Sequence, residues 1–121
     1  MSWGKKLSKV DEDCKLLYWV LLWVIAPHAH DSIDYFIKKI LQSGGGGGGD
    51  PGWEIEHLIS PTGAGSYHVW ADPEISCIEP AERDYDADVF LKMLKDSLLE
   101  FGLAYPEKAR EVEEIIRSYR L

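Results

Sequence analysis

The chain has 121 residues, 45% of them hydrophobic and 12% aromatic, which is well above the composition of a disordered chain and enough for one buried core. Its formal net charge of −8 is concentrated in the middle third, where residues 50–88 carry ten acids against Arg83 alone. Neutralising phosphates needs a basic face, so this balance argues against nucleic acid as a direct partner and favours a basic protein surface, or simple solubility, as the reason for the charge.

Lys5, Lys6 and Lys9 precede the apolar stretch Leu16–Ala26, an order superficially like that of a secretory leader. Asp11, Glu12 and Asp13 intervene, and 11 residues are too few to cross a bilayer, so the stretch reads as a buried helix of a soluble, cytoplasmic protein that needs no membrane. Ser8 followed by Asp11 resembles a capping box that opens this helix, and Pro27 stops it after about Ile25. The helix is apolar all round, which requires cover from the rest of the fold or from a partner. Cys14 and Cys77 lie outside any CxxC pattern and read as reduced core thiols.

A second helix follows, capped by Asp31 or Ser32, with Ile33, Phe36, Ile37, Ile40 and Leu41 on one stripe. After Ser43 come six consecutive glycines and Asp50-Pro51-Gly52, which read as a flexible connector over 43–52 within a single domain spanning 1–121. Such a connector is expected to be energetically idle, so that changing its length by a few residues barely moves the melting temperature. No GK[ST] sequence follows, so a phosphate-cradling loop is not indicated.

From Trp53 the apolar period changes to two, and a strand over Trp53–Ile59 is predicted, then a turn, a strand over Tyr67–Ala71, a tight turn at Asp72-Pro73 and a strand over Glu74–Ile78. Trp53, Ile55, Val69 and Ile75 or Cys77 would form the apolar face. Two helices close the chain. One begins near Asp86, buries Val89, Phe90, Met93, Leu94, Ser97, Leu98 and Phe101, and ends at Gly102; the other has Pro106 in its first turn and turns Ala109, Val112, Ile115, Ile116 and Tyr119 inward. The predicted architecture is α+β, in the order ααβββαα: an antiparallel meander of about three strands packed against about four helices.

Candidate chemistry is sparse. His28, His30 and Asp31 have metal-ligand character but lack further ligands at metal-binding spacing, so an inter-helix turn accounts for them and no metal or other cofactor is expected. Asp84, Asp86 and Asp88 have the first spacings of a calcium loop, but Val89 and Lys95 stand where it needs Gly and Glu. Glu54 and Glu56 leave the same face of their strand as a carboxylate pair, without the walled cleft that acid/base hydrolysis needs. Ser66, His68 and Asp72 do not sit in a nucleophile elbow. No enzymatic activity is expected.

The acid-rich stretch Trp53–Glu79, the run Glu79-Pro80-Ala81-Glu82-Arg83-Asp84-Tyr85-Asp86 and the helical pair joined by Tyr105-Pro106-Glu107 together resemble small acidic bacterial immunity proteins, including those of contact-dependent growth inhibition. The resemblance covers about the last 70 residues. It implies a cytoplasmic inhibitor that holds a cognate, basic toxin protein in a stoichiometric complex. On this reading Trp70, Glu79, Glu82, Asp84, Tyr85 and Asp86 form the partner-binding surface, with Trp53, Tyr67, Trp70 and Tyr85 available as aromatic anchors. The alternative is an intracellular helical adaptor or complex subunit docking through the apolar Leu16–Ala26 helix.

Overall fold

The structure, a computed structural model, describes residues 14–25, 32–42, 44–49, 52–59, 61–62, 65–76, 78 and 81–121. Two helices come first, α1 (Lys15–Ile25) and α2 (Asp34–Leu41), and then the strands β1 (Gly46–Gly49), β2 (Trp53–Ile59) and β3 (Gly65–Ala71). A one-turn helix α3 (Pro73–Ser76) leads to β4 (Glu82–Asp86), after which α4 (Ala87–Ala104), a 3-10 turn at Pro106–Lys108 and α5 (Ala109–Ser118) complete the chain. The α+β class is as the sequence predicts. The sheet has four strands rather than three, all antiparallel, in the order β1-β2-β3-β4.

Strand alternation sorts the side chains. Ile55 and His57 of β2, Tyr67, Val69 and Ala71 of β3 and Tyr85 of β4 are buried on the face toward the helices. There α1 packs on β3 and on α4, and α4 packs on β3, β4 and α5. His57 lies opposite Tyr67 in the register, and their rings stack with centroids 4.3 Å apart. Phe90 of α4 stacks on the other side of Tyr67 at 3.8 Å, so one column of rings joins two strands to the longest helix. Contacts of this kind contribute about 0.5–1.5 kcal/mol beyond the area they bury. The His57 Nδ1–H donates to the carbonyl of Gln42 at 3.0 Å, which gives the buried imidazole its polar partner.

The apolar helix α1 is largely covered by its own fold: Leu16, Leu17, Tyr18, Val20, Leu21, Val24 and Ile25 are buried, Trp19 and Leu22 are half-buried and Trp23 is exposed. The proposed Ser8/Asp11 cap lies outside the described residues. At α2 the stripe holds for Ile33, Ile37 and Ile40, whereas Phe36 is exposed. Ser32 does not cap α2 through its own side chain. Glu111 of α5 does so instead, accepting from the Ser32 hydroxyl at 3.0 Å and from the Ile33 N–H at 3.3 Å. Gly102 does not end α4, which runs on to Ala104 with Gly102 buried against Val112 of α5.

Val89 and Ala109, expected inward, are exposed, and two expectations about the strands are corrected as well. The third strand is β4, not Glu74–Ile78. Pro73 suits the first turn of a helix, Asp72 Oδ1 accepts the Glu74 N–H at 2.9 Å, and the Asp72 carbonyl accepts from Ile75 and Ser76, so the chain turns into α3 and Ile75 is exposed. The glycine run is not a featureless connector either. Gly46–Gly49 pairs with Trp53–Glu56 as an edge strand, and the Gly45 carbonyl accepts the His57 N–H at 2.8 Å. A strand needs only backbone groups to pair, and this one is built so close to its neighbour that a Cβ at Gly46 would lie 2.2 Å from the Ile55 carbonyl oxygen.

This geometry separates two substitutions that a mobile linker would treat alike. Gly46→Ala is expected to lower stability by about 1–3 kcal/mol through overpacking. At Gly49 a Cβ meets the Trp53 ring at an ordinary 3.5 Å, so Gly49→Ala should be neutral or stabilise by up to about 1 kcal/mol, through the smaller entropy of the unfolded chain. Urea denaturation midpoints check both, and equal small effects at the two positions would restore the linker.

Candidate functional site

The face of the sheet turned away from the helices carries the acidic residues. In register, Glu54 lies opposite Trp70 and Trp70 opposite Glu82; in the next row Glu56 lies opposite His68 and His68 opposite Asp84. A third row places Leu58, Ser66 and Asp86 side by side. Neighbours across a sheet share a face, so five carboxylates are held around one indole and one imidazole. No Lys or Arg stands in these rows, because Arg83, one residue out of phase, lies on the helix side with its guanidinium 5.9 Å from the Tyr85 ring centroid. On β1 the same rows end in Gly46 and Gly48, which add no side chain. Glu54, Glu56, His68, Trp70 and Glu82 line a shallow open depression of about 290 Å3.

The structure thus gathers Trp70, Glu82, Asp84 and Asp86 on one surface, and it removes Tyr85. Tyr85 is only 5% exposed and belongs to the core, as does Tyr67, while Trp53 is half-buried on the helix side; Trp70 is the one aromatic of the predicted set on the open face. The burial of Tyr85 follows from parity: β4 is a strand, and the residues beside it face outward, so it must face inward. Glu79 lies outside the described residues, as do Cys77 and the His28/His30/Asp31 cluster. Among the described residues no group of three or more His, Cys, Asp or Glu is arranged to hold a metal ion.

Sequence reasoning missed that Glu54, Glu56 and His68 join this surface. The available signal was phase: each of these residues alternates with an apolar position in its own strand.

His68 is the electrostatic centre of the face. Its Nδ1–H donates to Asp84 Oδ1 at 2.6 Å, and its Nε2 lies 3.6 Å from Glu82 Oε2. The hydrogen bond to Asp84 raises the imidazole pKa above its ordinary value, against the lowering effect of partial burial, and the charges of Asp84 and Glu82 add to the rise. Protonated His68 offsets one of the five carboxylates; neutral His68 leaves the face more negative.

No protein-family model, curated protein sequence or solved structure matches the chain. No helix among the described residues is long and apolar enough to cross a membrane.

Because the folded-state pKa of His68 is the higher one, its pairing should stabilise the fold fully below the ordinary value of 6.5 and lose that contribution as pH rises through the folded pKa. Imidazole chemical shifts followed by NMR should give a midpoint above 6.5, and Asp84→Asn should lower it. A midpoint at or below the ordinary value in the wild-type chain would contradict the pairing.

Proposed function

We propose that this chain is a non-enzymatic protein-binding domain that holds a basic partner against the open face of its sheet. Its biological role, on the resemblance drawn from the sequence, is that of an immunity protein neutralising a cognate bacterial toxin domain in the cytoplasm. One observation carries the reading: five carboxylates share one sheet face with the half-exposed Trp70, two of them directly beside it, and the described rows of that face contain no Lys or Arg. Like charges at this density repel one another, and a basic partner converts that cost into attraction. Trp70 supplies an apolar centre of the kind that dominates binding energy, with the carboxylates as its polar rim.

The carboxylates stand on an open surface rather than in a walled cleft, an arrangement suited to recognition more than to acid/base chemistry. The adaptor reading is the less favoured one, because it requires α1 to offer its apolar surface to a partner and most of that surface, Trp23 apart, is taken up in the core.

A basic toxin domain encoded beside this chain is the partner to test, by surface plasmon resonance against the wild type and a Glu82→Lys/Asp84→Lys variant. The double variant should lower the association rate about tenfold and flatten its dependence on salt. Trp70→Ala should act mainly by faster dissociation. Unchanged rates in a folded double variant would remove this face from the interaction.

A further inference from the structure

We propose that the outer edge of β1, with the apolar cleft beside it, is the docking site for an extended segment of the partner in which basic and apolar residues alternate. The proposal rests on the reading of the open face as the surface for a basic partner, and it names how that partner is held.

Two features meet at this edge. The first is backbone: β1 is the outermost strand of the sheet. The bond from the His57 N–H to the Gly45 carbonyl sets the phase of the ladder, in which alternate residues point their N–H and C=O groups toward β2. Gly47 and Gly49 therefore pair with β2, and the backbone groups of Gly46 and Gly48 point outward; among the described residues nothing takes them up. Exposed strand edges of this kind accept a further strand. The second feature is a cleft of about 240 Å3 on the helix side of β1, lined by Trp23, Phe36, Ile40 and Trp53 and by the strand itself. Trp23 is 38% and Phe36 41% exposed, an uncommon degree for aromatic side chains framing one cleft.

The phase of the sheet dictates the occupant. A residue of an added strand that pairs with Gly46 or Gly48 shares their face, which is the acidic one, and the side chains next along those rows are Glu56 and Glu54. Two strand spacings, about 10 Å, separate the added strand from β2, and the intervening glycines leave that path open to the long side chain of Lys or Arg. A residue opposite Gly47 or Gly49 faces the cleft, where Trp23, Phe36 and Trp53 favour an apolar side chain and Lys39 at the lining opposes a second cation. Basic and apolar residues must therefore alternate. A second copy of this chain fits poorly, because joining two β1 edges would bring two acidic faces into one continuous surface.

The test uses the full-length chain and three labelled synthetic peptides: one alternating Lys and Leu, one with the same residues in two blocks, and the alternating one N-methylated on the backbone amides that would pair. Fluorescence polarisation gives affinity, and amide hydrogen exchange by NMR reports on Gly46 and Gly48. The alternating peptide should bind about tenfold more tightly than the block peptide. Its binding should slow exchange at Gly46 and Gly48, fall with Glu54→Gln/Glu56→Gln and with Phe36→Ser, and be lost on N-methylation. Equal binding of all three peptides without slowed exchange would overturn the edge site and leave the acidic face standing as a docking surface. Failure of every basic peptide to bind at low salt would overturn both. Slow exchange at Gly46 and Gly48 in the free monomer would show the edge already filled by the chain itself, and slowing that grows with protein concentration would show a second copy there. Either result overturns the proposal.

Discussion

The register between β2 and β3 is the constraint on which the rest of the structure depends. Seven consecutive pairs, Trp53 with Ala71 through Ile59 with Gly65, fix which side chains meet the helices and which meet water. A slip of one residue would turn Glu54 and Glu56 into the core and Ile55 and His57 out of it. The ring column His57–Tyr67–Phe90 holds the phase, since it exists only when His57 is opposite Tyr67 and Phe90 covers the pair. The acidic face is thus produced by the same alternation that builds the core, on its other side, and replacing one of its carboxylates need not disturb the packing.

That face has an energetic cost within the isolated chain. Glu54 and Glu82 flank Trp70, and Glu56 and Asp84 flank His68, so each central residue lies between two carboxylates. Exposure to water screens much of the repulsion, and His68 relieves more of it when protonated, through Asp84 and Glu82. Two ion pairs that lie elsewhere, Lys108 with Glu111 and Arg110 with Glu114, are local to α5 and its approach, and they leave the charge of the face untouched.

Much of the fold was legible because apolar spacing carries it. The α1 run, the Ile33/Ile37/Ile40 stripe, the Phe90/Leu94/Leu98/Phe101 series and Val112/Ile115 all appear in the sequence as helical period and in the structure as core. The misreadings occur where that signal is weak. β4 has one buried apolar residue, Tyr85, among charged neighbours, so its sequence shows acidity more clearly than alternation and Tyr85 reads as a partner anchor. Glu74–Ile78 offers a short apolar alternation, but the local hydrogen bonds of Asp72 and the fixed φ of Pro73 favour a helical turn. The glycine run has no side chains and hence no period, and its order comes from tertiary backbone pairing that composition cannot display. The candidate site was legible in part: Trp70, Glu82, Asp84 and Asp86 were found from charge, while Glu54, Glu56 and His68 needed the register.

The two edges of the sheet are treated in opposite ways. β4 ends the sheet with Glu82, Asp84 and Asp86 on one face and Arg83 on the other, and charges along an edge discourage another strand from adding there. Among the described residues β1 carries no such charges, and at its start a side chain would come at a cost, because a Cβ at Gly45 or Gly46 would lie 2.2 Å from a backbone oxygen of α2 or β2. Glycine is therefore what this packing permits at those positions, and an edge left unpaired by the described residues is the consequence. The net charge of −8 and the acidic rows that begin one strand away then disfavour the most available partner for an open edge, another copy of the same chain. An edge with these charges beside it is selective by charge: it disfavours its own kind, and on the proposed reading a strand that carries positive side chains is what suits it.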